Sequence, residues 1–279
     1  MTIFQAIVLG LTQGATEFAP ISSSGHLILV PWMFGWSIVD DPALNKTFDV
    51  ALHMGTLVGA LIYFRWDVWR YARAFVGVLG HRRVETVDER LSVALVVGTL
   101  PAVAVGATLE SIIQDRLGEP WLIAVMLAVF GVVLYVVDVK APIRRALESI
   151  GPGTGLFLGV AQALALQPGV SRSGVTMTAA RAIGLDRSSA ARFSFLLSLP
   201  VIFGAGVFAG VDLLRDGMQG YEAQFLWGTV SSALSGFLVI WGLLTYLRRH
   251  DFRLFMLYRL AVAALVFGLI AAGVHDGTI

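Results

Sequence analysis

Four stretches without a single charged side chain, residues 91–109, 120–137, 193–211 and 223–247, constrain this chain more than any other feature. A helix rises 1.5 Å per residue, so about 20 apolar residues cross the hydrocarbon core of a bilayer, and runs of this length suit helices better than strands. Two shorter runs are read the same way: 48–64, with Asp49 at its mouth, and 254–274, in which Arg259 lies near one end and snorkels to the interface. Hydrophobic residues make up 57% of the 279 positions and charged ones 14%, so lipid rather than water is the main solvent of the fold. Cysteine is absent, which excludes disulfides, thiolate nucleophiles and cysteine metal sites. A formal net charge of +1 gives no reason to expect a nucleic-acid partner. Residues 1–10 carry no basic segment, so no signal peptide is expected.

Three apolar stretches do not fit the spanning template. Residues 1–16 and 27–39 are short and flank a polar sequence, Glu17-Phe-Ala-Pro-Ile-Ser-Ser-Ser-Gly-His26. Residues 154–166 lead into Pro168-Gly-Val-Ser-Arg-Ser-Gly174 and then a short apolar helix ending near Arg181. Both are expected to be re-entrant hairpins, 1–39 and 154–184, that dip into the bilayer and return. Charge placement is an independent test of that layout. Sixteen of the twenty basic residues fall in four loops, containing Arg65 to Arg90, Lys140 to Arg145, Arg181 to Arg192 and Arg248 to Arg259. The alternate loops hold only Lys46, Arg116 and Arg215, and Arg172 lies inside the second hairpin. By the positive-inside rule the rich loops are cytoplasmic, both termini lie outside, and the hairpins enter from opposite faces.

A gapless shift of 149 residues superposes Gly10 on Gly159, Gln13 on Gln162, Ser22 on Ser171, Ser24 on Ser173 and Gly25 on Gly174. Polar matches inside unusual polar segments, on opposite sides of a membrane, are the mark of an inverted-topology repeat. The expected architecture is therefore one all-α polytopic membrane domain over 1–279. It has six transmembrane helices and two re-entrant helical hairpins, with repeat one at about 1–138 and repeat two at about 151–274.

The polar residues of the hairpins carry the chemistry. Gln13 and Glu17 are four apart and share a helical face, and Pro20 stops that helix. Ser22, Ser23, Ser24 and Gly25 form a turn that offers backbone amides and hydroxyls at the start of the next helix, with His26 in its first turn; such a start binds phosphate. In the second hairpin Ser171, Arg172, Ser173 and Thr176 sit at the equivalent place, and the Arg172 fork matches a phosphoryl group. Close packing alone is the competing account of Ser24, Gly25, Ser173 and Gly174. Glu17, His26 and Arg172 are ionisable at membrane depth, where such groups are functional by default; the alternative is a structural Glu–Arg pair. His53 is expected to bond a neighbouring helix, with a second-tier place in the site as the alternative, and Asp49, Asp115 and Asp212, near span ends, to be solvated.

Gln13-x-x-x-Glu17 with Pro20-Ile-Ser-Ser-Ser-Gly-His26, then Phe48-Asp-Val-Ala-Leu-His-Met-Gly-Thr56 and Pro168-Gly-Val-Ser-Arg-Ser-Gly-Val-Thr176, closely resemble the undecaprenyl-diphosphate phosphatase family, bacterial membrane enzymes linked to bacitracin resistance. The likeness covers nearly the whole chain. It implies removal of the terminal phosphate from a C55 polyprenyl diphosphate, which recycles the lipid carrier of cell-wall synthesis. It also implies residence in the bacterial plasma membrane, an active site open to the outer face and a divalent cation, Mg²⁺ or Ca²⁺, at Glu17 with Gln13. The family's motifs fall on Gln13 and Glu17, on Ser22, Ser23 and His26, and on Ser171, Arg172, Ser173 and Thr176; of these Glu17, Ser23, His26 and Arg172 are expected to be catalytic, and the rest, together with Ser24 and Gly25, to bind substrate. Either Ser23 or His26 is the nucleophile. A polyprenyl-lipid transporter or flippase is the rival reading, because inverted repeats with broken helices are the usual build of such proteins. A homodimer is compatible with the chain, and nothing in it demands one.

Overall fold

The computed structural model describes residues 1–36, 38 and 41–278. The side chains of Asp115 and Asp212 lie outside the described ones. Eleven α-helices follow one another among the described residues, and they contain no strand, only an isolated bridge between Arg145 and Leu185.

The first helix, α1 (Ile3–Glu17), starts on a capping box in which the Thr2 side chain and Gln5 satisfy each other's backbone amides. It ends three residues before Pro20, and α2 (Ser23–Phe34) begins after a five-residue break. Ser23, Ser24 and Gly25, expected in a turn, are already helical, so the turn proper is 18–22. α3 (Pro42–Tyr63) opens on an Asp41 cap with proline at its first position, where a missing N–H costs nothing. α4 (Arg65–His81) follows at once, bent by 86° from α3. The expected loop of arginines after residue 64 is thus in its first part a helix, because its charges are spaced to leave Asp67 and Tyr71 facing inward.

α5 (Val87–Leu117), α6 (Pro120–Lys140), α9 (Arg187–Asp216), α10 (Glu222–Tyr246) and α11 (Arg253–Ala271) are the five helices long and apolar enough to cross a membrane; counting bent α3 with α4 gives six. Between α6 and α9 lie α7 (Pro152–Ala163), extended by a 3₁₀ turn over Leu164–Leu166, and α8 (Arg172–Ala182).

Small residues let the broken helices approach their neighbours closely. α1 packs chiefly on α10, and α7 chiefly on α5. A Cβ at Gly10 would collide with Gly228 O, and one at Gly159 with Gly98 O, so in both pairs the backbones touch where only glycine fits. The main core joins Phe18, Phe64, Phe193 and Phe195 with Leu57, Leu197 and Ile240, directly beneath the end of α1.

Candidate active site

The breaks after α1 and before α8 meet in the middle of the molecule. Ser22 and Ser171, which cap α2 and α8, have matching left-handed backbones with φ of 75° and 77°. Each Oγ accepts from the amide three residues on, Gly25 N at 3.4 Å and Gly174 N at 3.1 Å. The two turns also bond to each other. Gly169 N donates to Ser22 Oγ at 3.0 Å and Ser173 Oγ to Ala19 O at 3.0 Å. Gly25 packs against Ile123 at the same crossing.

Around this crossing the expected residues separate into two groups. Glu17 is the hub of the first. Its Oε2 accepts from Ser23 Oγ at 2.6 Å and from Gln13 Nε2 at 2.9 Å, while Oε1 is ion-paired with the Arg172 guanidinium. His53 Nε2 stands 3.5 Å from Oε2, and its Nδ1 lies 2.8 Å from Asp49 O of its own helix, so this ring reaches α1 and takes part in the cluster. A cavity of about 490 Å³ opens over the group. Glu17, Ser22, Ser23, Ser24, Ser171 and Arg172 line it. So do Asp49 and Gln162, which lay outside the expected set, and His53, for which a second-tier place in the site was the alternative reading. Asp49 faces this cavity from the second turn of α3 and is only partly exposed, which corrects the expectation of a solvated carboxylate at a span end. The signal for Gln162 was its alignment with Gln13.

The second group stands behind the cavity. His26 Nδ1 lies 2.7 Å from Ser22 O and Nε2 2.9 Å from the Tyr258 hydroxyl of α11, with the two rings stacked. The imidazole is therefore turned from Glu17 and does not line the cavity. Thr176 donates to Arg172 O one turn back and lies 2.9 Å from Ser194 Oγ, bracing the helix that carries Arg172. Arg259 is the largest surprise. Rather than snorkelling, it is fully buried and donates to Leu127 O at 2.8 Å, Met126 O at 3.2 Å, Pro20 O at 3.2 Å, Gly169 O at 2.7 Å and Val170 O at 3.1 Å. The last three are carbonyls at the two helix breaks, which no other donor reaches among the described residues. Arg181, assigned to a basic loop, is buried too and pairs with Asp138 at 2.6 Å.

The arrangement is suited to an anion. α2 and α8 point their first turns, with free backbone amides and positive dipole ends, at one cavity, and Arg172 adds a full charge. For a divalent cation the donors are few. No three of His, Asp and Glu gather to hold one among the described residues. Gln13 Oε1, however, is buried without a partner beside Glu17, an oxygen of the hard type that Mg²⁺ and Ca²⁺ take. The pair fits a cation whose remaining ligands come from water and a bound anion.

Fold and site together define an integral membrane protein with an anion-receptive cavity at the meeting point of two broken helices. The chain belongs to the bacitracin resistance protein BacA family, whose model matches residues 6–265. Similar proteins include the undecaprenyl-diphosphatase of Desulforudis audaxviator, 46% identical over 95% of this chain and 97% of the relative. Those of Pelotomaculum thermopropionicum and Geobacter sulfurreducens are 46% and 43% identical over 98% of this chain, covering 98% and 100% of the relatives.

Proposed function

We propose that this chain is an undecaprenyl-diphosphatase of the bacterial plasma membrane, releasing inorganic phosphate from undecaprenyl diphosphate and leaving undecaprenyl phosphate. Family membership and the name shared by its relatives support hydrolysis over transport. The observation that carries the mechanism is the bond from Ser23 to Glu17, beside Arg172, at the start of α2.

Ser23 Oγ attacks the terminal phosphorus and passes its proton to Glu17 Oε2, to which it already donates. The bond from phosphorus to the bridging oxygen breaks, and its electron pair leaves on the lipid monophosphate. Water then attacks the phosphoserine, the serine oxygen recovers a proton from Glu17, and phosphate departs. As Glu17 is neutralised, Arg172 loses its internal counter-charge and turns its fork to the phosphoryl oxygens, with the amides of α2 and α8 behind it. Attack by His26 is disfavoured because both its ring nitrogens are engaged behind the cavity. Glu17 and Gln13 Oε1 would hold the cation, which supplies neutralisation of diphosphate charge.

The membrane arrangement belongs to the same reading: six spans, two re-entrant hairpins (α1–α2 and α7–α8) and one domain of two inverted halves, about 1–138 and 151–274. The matched backbones of Ser22 and Ser171, and the exchange by which α1 packs on α10 while α7 packs on α5, support it. The arginine distribution supports a cavity mouth that opens toward the outer face. Purified chain in detergent with C55 diphosphate and Mg²⁺ tests the function: phosphate release needs no membrane, whereas transport does. Ser23→Ala should abolish turnover. Acid-labile rather than acid-stable protein-bound phosphate would move the nucleophile from Ser23 to a histidine.

A further inference from the structure

Helix α4 has no role in the site, and its composition is at odds with its surface. Arg65, Asp67, Arg70 and Arg73 crowd its first half, so it cannot cross a bilayer, yet it exposes large apolar groups. Trp66 is 72% exposed and Trp69 66%, and Val76 and Leu79 are similarly bare. Residues 65, 69, 72, 73, 76 and 80 recur at three- and four-residue spacing and form one outward stripe, with Trp66 and Leu79 beside it. The opposite face is held to the protein by Asp67, which pairs with Arg192 of α9 at 2.5 Å, and by buried Tyr71. The 86° bend lays α4 across the direction of α3, along the plane of a membrane that α3 enters.

Two charges on this stripe, Arg65 and Arg73, and that of Arg82 at the helix end are not neutralised within the protein. Arg70 is engaged by Asp67 and Asp88, and Arg83 by Glu85. Arg65, Arg73 and Arg82 have no carboxylate partner among the described residues; Arg65 lies over the Trp66 ring at 5.5 Å. Amphipathic aromatic rings flanked by unpaired guanidinium groups, on a helix fixed in the interfacial plane, match the boundary between acyl chains and negatively charged phosphates.

We propose that the outer face of α4 is a binding surface for anionic phospholipid headgroups, with Trp66 and Trp69 at the acyl boundary, Arg65 and Arg73 on the lipid phosphates, and Arg82, exposed at the C-cap, adding a third guanidinium at the helix end. It rests on the reading of α3 as membrane-embedded, not on the phosphatase chemistry. The full chain, reconstituted in vesicles of phosphatidylcholine with a minor fraction of phosphatidylglycerol, tests it with one or the other lipid brominated near the headgroup. Trp66→Phe/Trp69→Phe isolates the signal of the two rings from the other five of the seven tryptophans. Brominated phosphatidylglycerol should quench that signal more than brominated phosphatidylcholine at equal mole fraction, by up to about fivefold for each arginine in contact. Arg65→Gln/Arg73→Gln/Arg82→Gln should bring the ratio to unity while wild-type phosphate release in detergent reports an intact fold. Equal quenching by both lipids in the wild type, an unchanged ratio in the triple variant, or ready quenching of Trp66 and Trp69 by aqueous iodide would each overturn the surface. A wild type that binds lipid this way but releases no phosphate would count against the phosphatase reading alone.

Discussion

Two arginines at the crossing of the broken helices, Arg172 and Arg259, are opposites in how their donors are used. Arg259 is fully buried, and its fork is filled by five backbone carbonyls from α6 and both breaks. Arg172 has a side chain 20% exposed to the cavity and leans on one carboxylate that three other groups also approach. A fully buried guanidinium bonded through all three nitrogens presents no donor to a ligand, and removing it orphans structure. A guanidinium held by one exchangeable partner can trade that partner for a phosphate at small cost, since like fork geometry is kept. Saturation, rather than burial or charge, therefore separates the arginine that builds the site from the one that works in it.

Removing Arg172 tests the working side and should have the largest effect. Arg172→Ala should lower kcat by about 10³-fold or more, the range found when a guanidinium that stabilises phosphoryl charge is lost, while the protein still folds in detergent with a lower unfolding temperature, because buried Glu17 loses its counter-charge. Arg172→Lys should recover part of the rate only, because a point charge cannot replace a fork. A folded Arg172→Ala protein that turns over at the wild-type rate breaks the comparison.

Arg259→Met addresses the other side. Three break carbonyls, Pro20 O, Gly169 O and Val170 O, would lose their only donor among the described residues. At about 1–3 kcal/mol for each orphan, set against relief from burying one charge, the net loss should be roughly 3 kcal/mol. The expected result is a lower unfolding temperature and poor accumulation, with the surviving folded fraction still active. Loss of rate without loss of stability would mean that Arg259 acts on the chemistry.

Arg181 lies between these cases, since Asp138 and the carbonyls of Asp138, Ala141 and Leu185 share its fork. Asp138 also accepts from Arg187 at 2.9 Å. Asp138→Asn keeps shape and one acceptor but leaves two guanidinium groups without a counter-charge. It should cost about 2 kcal/mol, less than the 3–5 kcal/mol of a fully orphaned buried charge, and should not change kcat.

The sequence made Arg172 legible and hid Arg259 for the same reason. Arg172 stands between two serines in a polar segment too short for a membrane span, so its charge calls for a partner, and Glu17 was the obvious one. Arg259 sits five residues inside an apolar run, where a linear reading lets it snorkel, and its partners are backbone carbonyls that carry no sequence mark. Asp138 fell one residue beyond the expected span 120–137, which disguised a buried pair as a loop charge. The helices themselves were readable from apolar length, whereas α4 was not, because its exposed stripe mixes tryptophan with arginine. Asp49 and His53 were underrated because their part in the cavity depends on α3 leaning over the end of α1, a contact that no local spacing encodes.

The smallest predicted effect distinguishes the two serine caps. Both hold a left-handed backbone that strains any residue with a Cβ, and both satisfy one amide of their own helix. Only Ser22 Oγ also takes a donor from the other helix break, Gly169 N. Ser171→Ala should therefore cost about 1 kcal/mol, the usual value of a lost cap. Ser22→Ala should cost about 1 kcal/mol more, because the buried Gly169 amide is orphaned as well. Glycine at either position relieves the backbone while losing the same bonds, so Ser171→Gly should be close to neutral and Ser22→Gly should still destabilise. Parallel unfolding curves for the four variants decide the matter: equal losses at 22 and 171 would mean that the bond from Gly169 N to Ser22 Oγ contributes nothing to stability.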